Sequence, residues 1–343
     1  MALSLTERAS RGRLFLRAAS KAPGTRIFTH RPFFISHRIT GRCNASCKTC
    51  LWRGNFPEED NTGTIISAYR RAAKAGFVST TFWGGEPLIR DDIEEIAREC
   101  RRLGLAVGLI TNGFYLPERA ENLCKNLDFL IVSIDAPSEK HDILRKVKGI
   151  FDRAVEGIKS AHVANTKLKI FLNSVVSKLN YPDVLGMAQF AQRLGTTVTF
   201  ESTNTGASLD GEREVTLRLE PELEKRAFTE ILSLKRRGLP INNSDSYLRM
   251  FITGNVFYKC RNPKISLGVA PDGSVVTCVG EKRVIGNFYQ EDPGEIVSRP
   301  VMREFQREAE SCFKCVDTGT VECSLFYALN REVMFNTLRL FIR

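Results

Sequence analysis

A chain of 343 residues, 43% hydrophobic and 26% charged, can bury one large domain and a smaller one, and its composition is that of an ordinary folded protein. No apolar run reaches the roughly 18 residues that span a bilayer, and no secretory cleavage signal is present, so a cytoplasmic location is expected. In a reducing compartment ten cysteines read as metal ligands and not as disulfides.

The net charge of +11 is concentrated at the N-terminus, where residues 1–32 carry Arg8, Arg11, Arg13, Arg17, Lys21, Arg26 and Arg31 against Glu7 alone. Such a segment reads as a basic solvated helix, as a dock for anionic lipid or nucleic acid, or as a transit-peptide mimic. Zinc-finger spacing, helix-turn-helix and RNA-binding signatures are all missing, so no nucleic-acid partner is expected.

From residue 33 short β-rich runs alternate with amphipathic stretches. Strands are predicted at Phe33–Ile39, Thr80–Trp83, Leu105–Thr111, Phe129–Asp135, Lys169–Val176 and Thr197–Glu201, and helices at Asp92–Leu103, Glu118–Asn126, Ile150–His162 and Val184–Leu194. Six strands joined by crossover helices predict an α/β fold, a partial (β/α)6 TIM-like barrel over 33–235, with functional residues at the C-terminal strand ends. The rhythm breaks after Glu201. Ser202–Asp210 reads as a polar loop and Leu219–Arg237 as one charged helix. Residues 236–343 form a small cysteine-rich unit, in which Ile265–Val269, Pro271-Asp272-Gly273 and Val275–Val279 make a hairpin.

Directly after the first strand stand Cys43, Cys47 and Cys50, spaced Cys-x3-Cys-x2-Cys. Three thiolates hold three irons of a [4Fe–4S] cluster and leave the fourth without a protein ligand, open to a bound molecule. Zinc more often uses two Cys-x2-Cys pairs, and the next cysteine is Cys100. Gly84-Gly85-Glu86-Pro87 ends the second strand, with two glycines allowing close backbone approach and a carboxylate able to accept from an ammonium. Thr111-Asn112-Gly113, Ser133-Ile134-Asp135 and Asn173 mark later strand ends, and Glu201 is a weaker candidate. For Asn173 the competing role is helix capping; for Arg145, in His141-Asp142-x-x-Arg145, it is a surface cation.

Together these motifs resemble the radical S-adenosylmethionine (SAM) superfamily. The resemblance implies that SAM chelates the open iron, that one electron breaks its C5′–S bond, and that a 5′-deoxyadenosyl radical abstracts a substrate hydrogen. It further implies SAM contacts from Gly84, Gly85, Glu86 and Pro87, with Glu86 at the amino group, and from Thr111, Asn112, Ser133, Asp135, Arg145 and Asn173. Ser133 and Asp135 would face ribose hydroxyls. A one-electron reductant such as ferredoxin or flavodoxin is implied as well. The position before the third cysteine is usually aromatic in the family and is Thr49 here, which leaves Trp52 or Phe82 as candidates to meet the adenine, with core packing the equal competing role for either.

Cys260, Cys278, Cys312, Cys315 and Cys323 resemble the SPASM and Twitch auxiliary-cluster domains. Five cysteines suit one auxiliary [4Fe–4S] cluster, with Cys260, Cys278, Cys312 and Cys315 as ligands and Cys323 a spare or replacement; structural zinc is the alternative. Cys100 and Cys124 read as small buried residues. Leu325–Arg343 reads as an amphipathic helix suited to a membrane interface, or to the core. It suggests a membrane-lipid substrate and peripheral attachment. Peptide or small-molecule substrates are the alternatives, peptides disfavoured because only about 40 residues precede the triad.

Overall fold

The computed structural model describes residues 31–50, 52, 58–203, 217–278 and 283–342, with side chains of the last helix described to Asn336. Most of the basic N-terminal segment and of the Ser202–Asp210 loop lies outside the described residues.

Six parallel strands, β1 (Phe34–Thr40), β2 (Ser79–Gly84), β3 (Ala106–Thr111), β4 (Phe129–Ser133), β5 (Lys169–Val176) and β6 (Thr197–Ser202), lie side by side in chain order. The expected strands are all present, shifted by one or two residues at their ends. The sheet does not stop at β1. β7 (Ser266–Val269) pairs with β1 in parallel, and β8 (Ser274–Val276) and β9 (Val284–Asn287) add antiparallel strands. The hairpin expected to belong to a separate C-terminal unit thus extends the barrel sheet, and its third strand had no sequence forecast. At the opposite end, the edge of β6 is covered by Pro240–Asn243: Val198 N–H donates to Pro240 O, and Asn243 bonds both backbone groups of Phe200.

Alternation along the strands tells which face is packed. On β5, Ile170, Leu172, Ser174 and Val176 are buried while Lys169, Phe171, Asn173 and Val175 are only half-buried; β1 and β6 alternate in the same way. The buried set lies under α1 (Thr62–Lys74), α2 (Ile93–Arg102), α3 (Leu116–Leu123), α4 (Lys140–Arg145), α5 (Ile150–Ala164) and α6 (Val184–Arg193). The half-buried set lies on the opposite face of the sheet.

After α7 (Pro221–Arg236) come α8 (Asp245–Thr253), α9 (Asn262–Ile265), α10 (Pro293–Ile296) and α11 (Pro300–Ala309). The single helix expected over Leu325–Arg343 is instead two, α12 (Thr318–Tyr327) and α13 (Arg331–Ile342), with Leu329 between them at φ 57°. Glu332 accepts from the N–H groups of Asp245 and Ser246 and from Lys235 Nζ, which seats α13 on the N-terminus of α8. Leu325 and Val333 are buried; Phe326, Leu329 and Phe335 are exposed. No helix among the described residues is long and apolar enough to cross a membrane.

Candidate active site

The triad loop leaves β1 and is pinned to the turn after β2. Gly85 N–H donates to Thr40 O at 3.0 Å and Glu86 N–H to Arg42 O at 2.8 Å. A Cβ on Gly84 would lie 2.2 Å from Thr40 O, and one on Gly85 2.1 Å from Arg42 O. Side chains at either position would push the cysteine loop away. Glu59 holds the same loop from outside, accepting a fork from Arg42 and bonds from Thr40 and buried Arg90.

Within the loop, Ala45 N–H donates to Cys43 Sγ at 3.4 Å and Trp52 N–H to Cys50 Sγ at 3.3 Å, while Arg145 Nη1 donates to Cys47 Sγ across 3.8 Å. Burial, with Glu86, Cys47 and Cys50 adding to it, pushes the Cys43 thiol up to about 11. A thiol held neutral in this way is deprotonated by a coordinated metal. Donors aimed at all three sulfurs suit an anionic iron–sulfur cluster. Asn44 Nδ2 is buried at the same loop without a partner, a donor left for a ligand. Among the described residues no three such side chains converge tightly enough to hold one metal ion.

Glu86 is fully buried and caps the short turn Pro87–Ile89. Its oxygens accept from Thr111 Oγ1 at 2.7 Å, Asn112 N–H at 2.7 Å and Leu88 N–H at 3.0 Å. Burial pushes its carboxyl up; these three donors oppose the shift. Instead of reaching outward to an ammonium alone, the carboxylate ties the tip of β3 to the glycine turn. Asn112 Nδ2 then reaches Asn44 Oδ1 at 2.8 Å, closing the ring back to the triad loop.

Asp135, expected to face a ribose hydroxyl, stands in an ion pair with Arg145. It is buried, its Oδ2 2.8 Å from Arg145 Nε and its Oδ1 accepting from Val175 N–H at 3.0 Å. Its own N–H donates to His141 Nδ1 at 3.1 Å. Arg145 is correspondingly no surface cation, its side chain being 13% exposed. Asn173 lies three residues inside β5, beside Ser133 in register, and its Nδ2 donates to Glu201 Oε2 at 3.3 Å. It caps no helix. Phe82 is fully buried on the helix side against His37 and Tyr69, which removes it as an adenine partner. Trp52 stands edge-on to Trp83 with centroids 4.7 Å apart, and Arg38 Cζ lies 5.1 Å from its ring. Arg38, Asn44 and Trp83 had escaped notice, although Asn44 lies within the triad and Trp83 directly precedes Gly84.

In the C-terminal segment, burial pushes the Cys260 thiol up to about 11, with Cys312 and Cys278 adding to it. Cys315 is raised by burial, by Asp317, and by Cys260, Cys278 and Cys312. Cys315 therefore lies in the electrostatic reach of the other three, and Cys260 in that of Cys278 and Cys312. Cys323, on α12, is pushed up to about 12 by burial, Asp317 and Glu322, with none of those four contributing. Tyr258 OH donates to Cys315 O at 2.9 Å, and Tyr247 OH to Val316 O at 2.6 Å. Glu201 accepts from the N–H and hydroxyl of Thr318, joining the end of β6 to the start of α12. Cys100 and Cys124 are buried, as expected.

Residues 38–191 match the family model of the radical SAM superfamily. The chain carries a radical SAM superfamily domain. Residues 260–316 match the SPASM iron–sulfur cluster-binding domain, a span that includes Cys260, Cys278, Cys312 and Cys315 and stops short of Cys323. The protein is a radical SAM enzyme that depends on a [4Fe–4S] cluster and SAM, with an auxiliary iron–sulfur cluster domain. A probable GTP 3′,8-cyclase of Saccharolobus solfataricus is 28% identical over 288 residues, 77% of this chain and 91% of the relative. An AdoMet-dependent heme synthase of Methanosarcina barkeri is 35% identical over 175 residues, and the match spans about half of each chain, 49%. Among solved structures, Streptococcus suis SuiB bound to precursor peptide SuiA superposes with a TM-score of 0.67 at 16% identity, covering 89% of this chain and 73% of SuiB. Native anSMEcpe with bound AdoMet gives 0.65 at 17%, covering 90% and 97%. At such identities these two establish the fold alone.

Proposed function

We propose that Cys43, Cys47 and Cys50 hold the SAM-cleaving cluster, that Cys260, Cys278, Cys312 and Cys315 hold one auxiliary cluster, and that the substrate enters the lumen of the partial barrel. When bound, the cluster and SAM supply one electron and a 5′-deoxyadenosyl radical that takes a hydrogen atom from the substrate. The protein's part is positional. The glycine turn and Glu59 fix the triad loop over the C-terminal strand ends, and Asn44, Asn112 and Ser133 offer polar groups around it. The observation that carries this reading is the pinning of the triad loop to the glycine turn at the C-terminal ends of β1 and β2.

A relative matched over nearly its whole length is named for a nucleotide cyclase, which supports a small molecule as substrate. The membrane-lipid reading has the exposed Phe326, Leu329 and Phe335 in its favour, but the same stretch docks through Glu332 and buries Leu325 and Val333. A ferredoxin- or flavodoxin-type carrier would deliver the electron.

Anaerobic reconstitution tests the assignment. The wild type should take up about eight irons and release 5′-deoxyadenosine when reduced with SAM present. The Cys43→Ala/Cys47→Ala/Cys50→Ala chain should keep about four irons and release none. SAM cleavage surviving in that variant would end the proposal.

A further inference from the structure

The segment from the end of β4 to the start of α5 is built around one guanidinium. Asp135 follows β4 and is held from three sides: its Oδ1 accepts from Val175 N–H, its N–H donates to His141 Nδ1, and its carbonyl accepts from Asn180 Nδ2 at 2.7 Å. α4 is a short helix ended by Lys146 in the left-handed region at φ 54°. Its next-to-last carbonyl, Leu144 O, accepts from Lys48 N–H at 3.2 Å, so the triad loop is stitched to this helix between Cys47 and Cys50. Asp142, from the first turn, accepts from Gly149 and Phe151 N–H and fixes the chain that follows. Arg145, the last residue of α4, is thereby left one direction to point. Its Nε meets Asp135, and its Nη1 meets Cys47 Sγ.

We infer that Arg145 is a positioning residue that sets the reduction potential of the triad cluster by donating to the sulfur of Cys47. This rests on the assignment of Cys43, Cys47 and Cys50 as the cluster ligands. Hydrogen bonds to cluster sulfurs and nearby charge are the levers a protein has on such potentials. A cation donating to a ligand sulfur stabilises the reduced, more negative cluster. The Asp135–Arg145 pair is a dipole with its positive end at Cys47, so the effect acts locally although the pair is neutral. Removing the guanidinium takes away the donor and leaves the Asp135 carboxylate facing the cluster uncompensated. Both changes lower the potential. Lysine at the same position would keep the charge and lose the fork that engages Asp135 and Cys47 together.

The experiment is an EPR-monitored redox titration of the reconstituted full-length enzyme without SAM, following the signal that changes when SAM is later added. Arg145→Gln should lower the equilibrium constant for reduction at least about tenfold, about 59 mV for one electron, and Arg145→Lys by less. The auxiliary cluster signal in the same sample should stay in place. An unchanged or higher midpoint in Arg145→Gln would overturn the inference, even if SAM affinity falls. If Arg145→Gln assembles no cluster, Arg145→Lys decides alone: a lower midpoint supports the role and an unchanged one refutes it. If the wild type assembles no SAM-responsive cluster, the ligand assignment itself has failed; if it does and the midpoint ignores Arg145, only the present inference has.

Discussion

At the scale of single residues, two glycines matter more for what they let approach than for their flexibility. The parallel pairing of β1 with β2 continues past both strands into the cysteine loop, and the backbone there comes too close for any Cβ. Gly85→Ala should therefore displace the loop, with a stability loss of about 1–3 kcal/mol from overpacking and a larger loss of iron. Thermal unfolding of the metal-free chain and iron content after reconstitution would separate the two effects. Full iron loading in Gly85→Ala would show that the loop tolerates the shift. The Gly-Gly-Glu-Pro pattern was legible as a site from its place at a strand end. Its inward-facing Glu86 was not, because the partners Thr111 and Asn112 come from another strand.

At the scale of elements, the buried His37 links three of them. Its Nδ1 lies 2.9 Å from Tyr69 OH on α1 and its Nε2 2.9 Å from Tyr289 OH just after β9, and Tyr69 OH in turn meets Thr80 on β2 at 2.8 Å. A neutral imidazole has one donor and one acceptor, which this arrangement satisfies, whereas burial disfavours the charged imidazolium. Burial, helped by Arg90, lowers the His37 pKa from 6.5 to about 3. The unfolded chain thus binds the proton more readily. Stability from this group is complete above pH 6.5 and falls as the pH drops toward 3. His141, lowered to about 4 by burial and Arg145, acts in the same direction. At about 1.4 kcal/mol per unit, the loss amounts to a few kcal/mol for His37. His37→Gln, an uncharged replacement, should flatten the dependence of unfolding free energy on pH between 6.5 and 4 in denaturant titrations. An unaltered slope would mean that the network does not govern acid stability. The helix and strand periods of these elements could be read from the chain, whereas this network joins positions up to 252 residues apart.

Over the whole molecule, the C-terminal segment is joined to the barrel through the shared sheet. β7 pairs with β1, and Glu201 at the far edge binds Thr318, so both ends of the open sheet are engaged. The proposed auxiliary ligands come from three places along that segment, Cys260, Cys278 and the Cys312–Cys315 pair, and none of them contributes to the shift at Cys323. Cys323→Ala should accordingly retain about eight irons, while Cys315→Ala should drop toward four, as measured by iron analysis after anaerobic reconstitution. Loss of iron in Cys323→Ala with retention in Cys315→Ala would reverse the assignment.

What the chain determines alone is local: strand and helix periods, the close spacing of Cys43, Cys47 and Cys50, and the glycine turn, since each depends on neighbours a few residues away. Which face of each strand packs under the helices, that Asp135 meets Arg145, that Phe82 packs outward, and that a C-terminal strand prolongs the sheet were decided only by tertiary structure. Those outcomes depend on pairings between distant segments, where burial makes an unpaired charge or donor costly and so selects one partner among many.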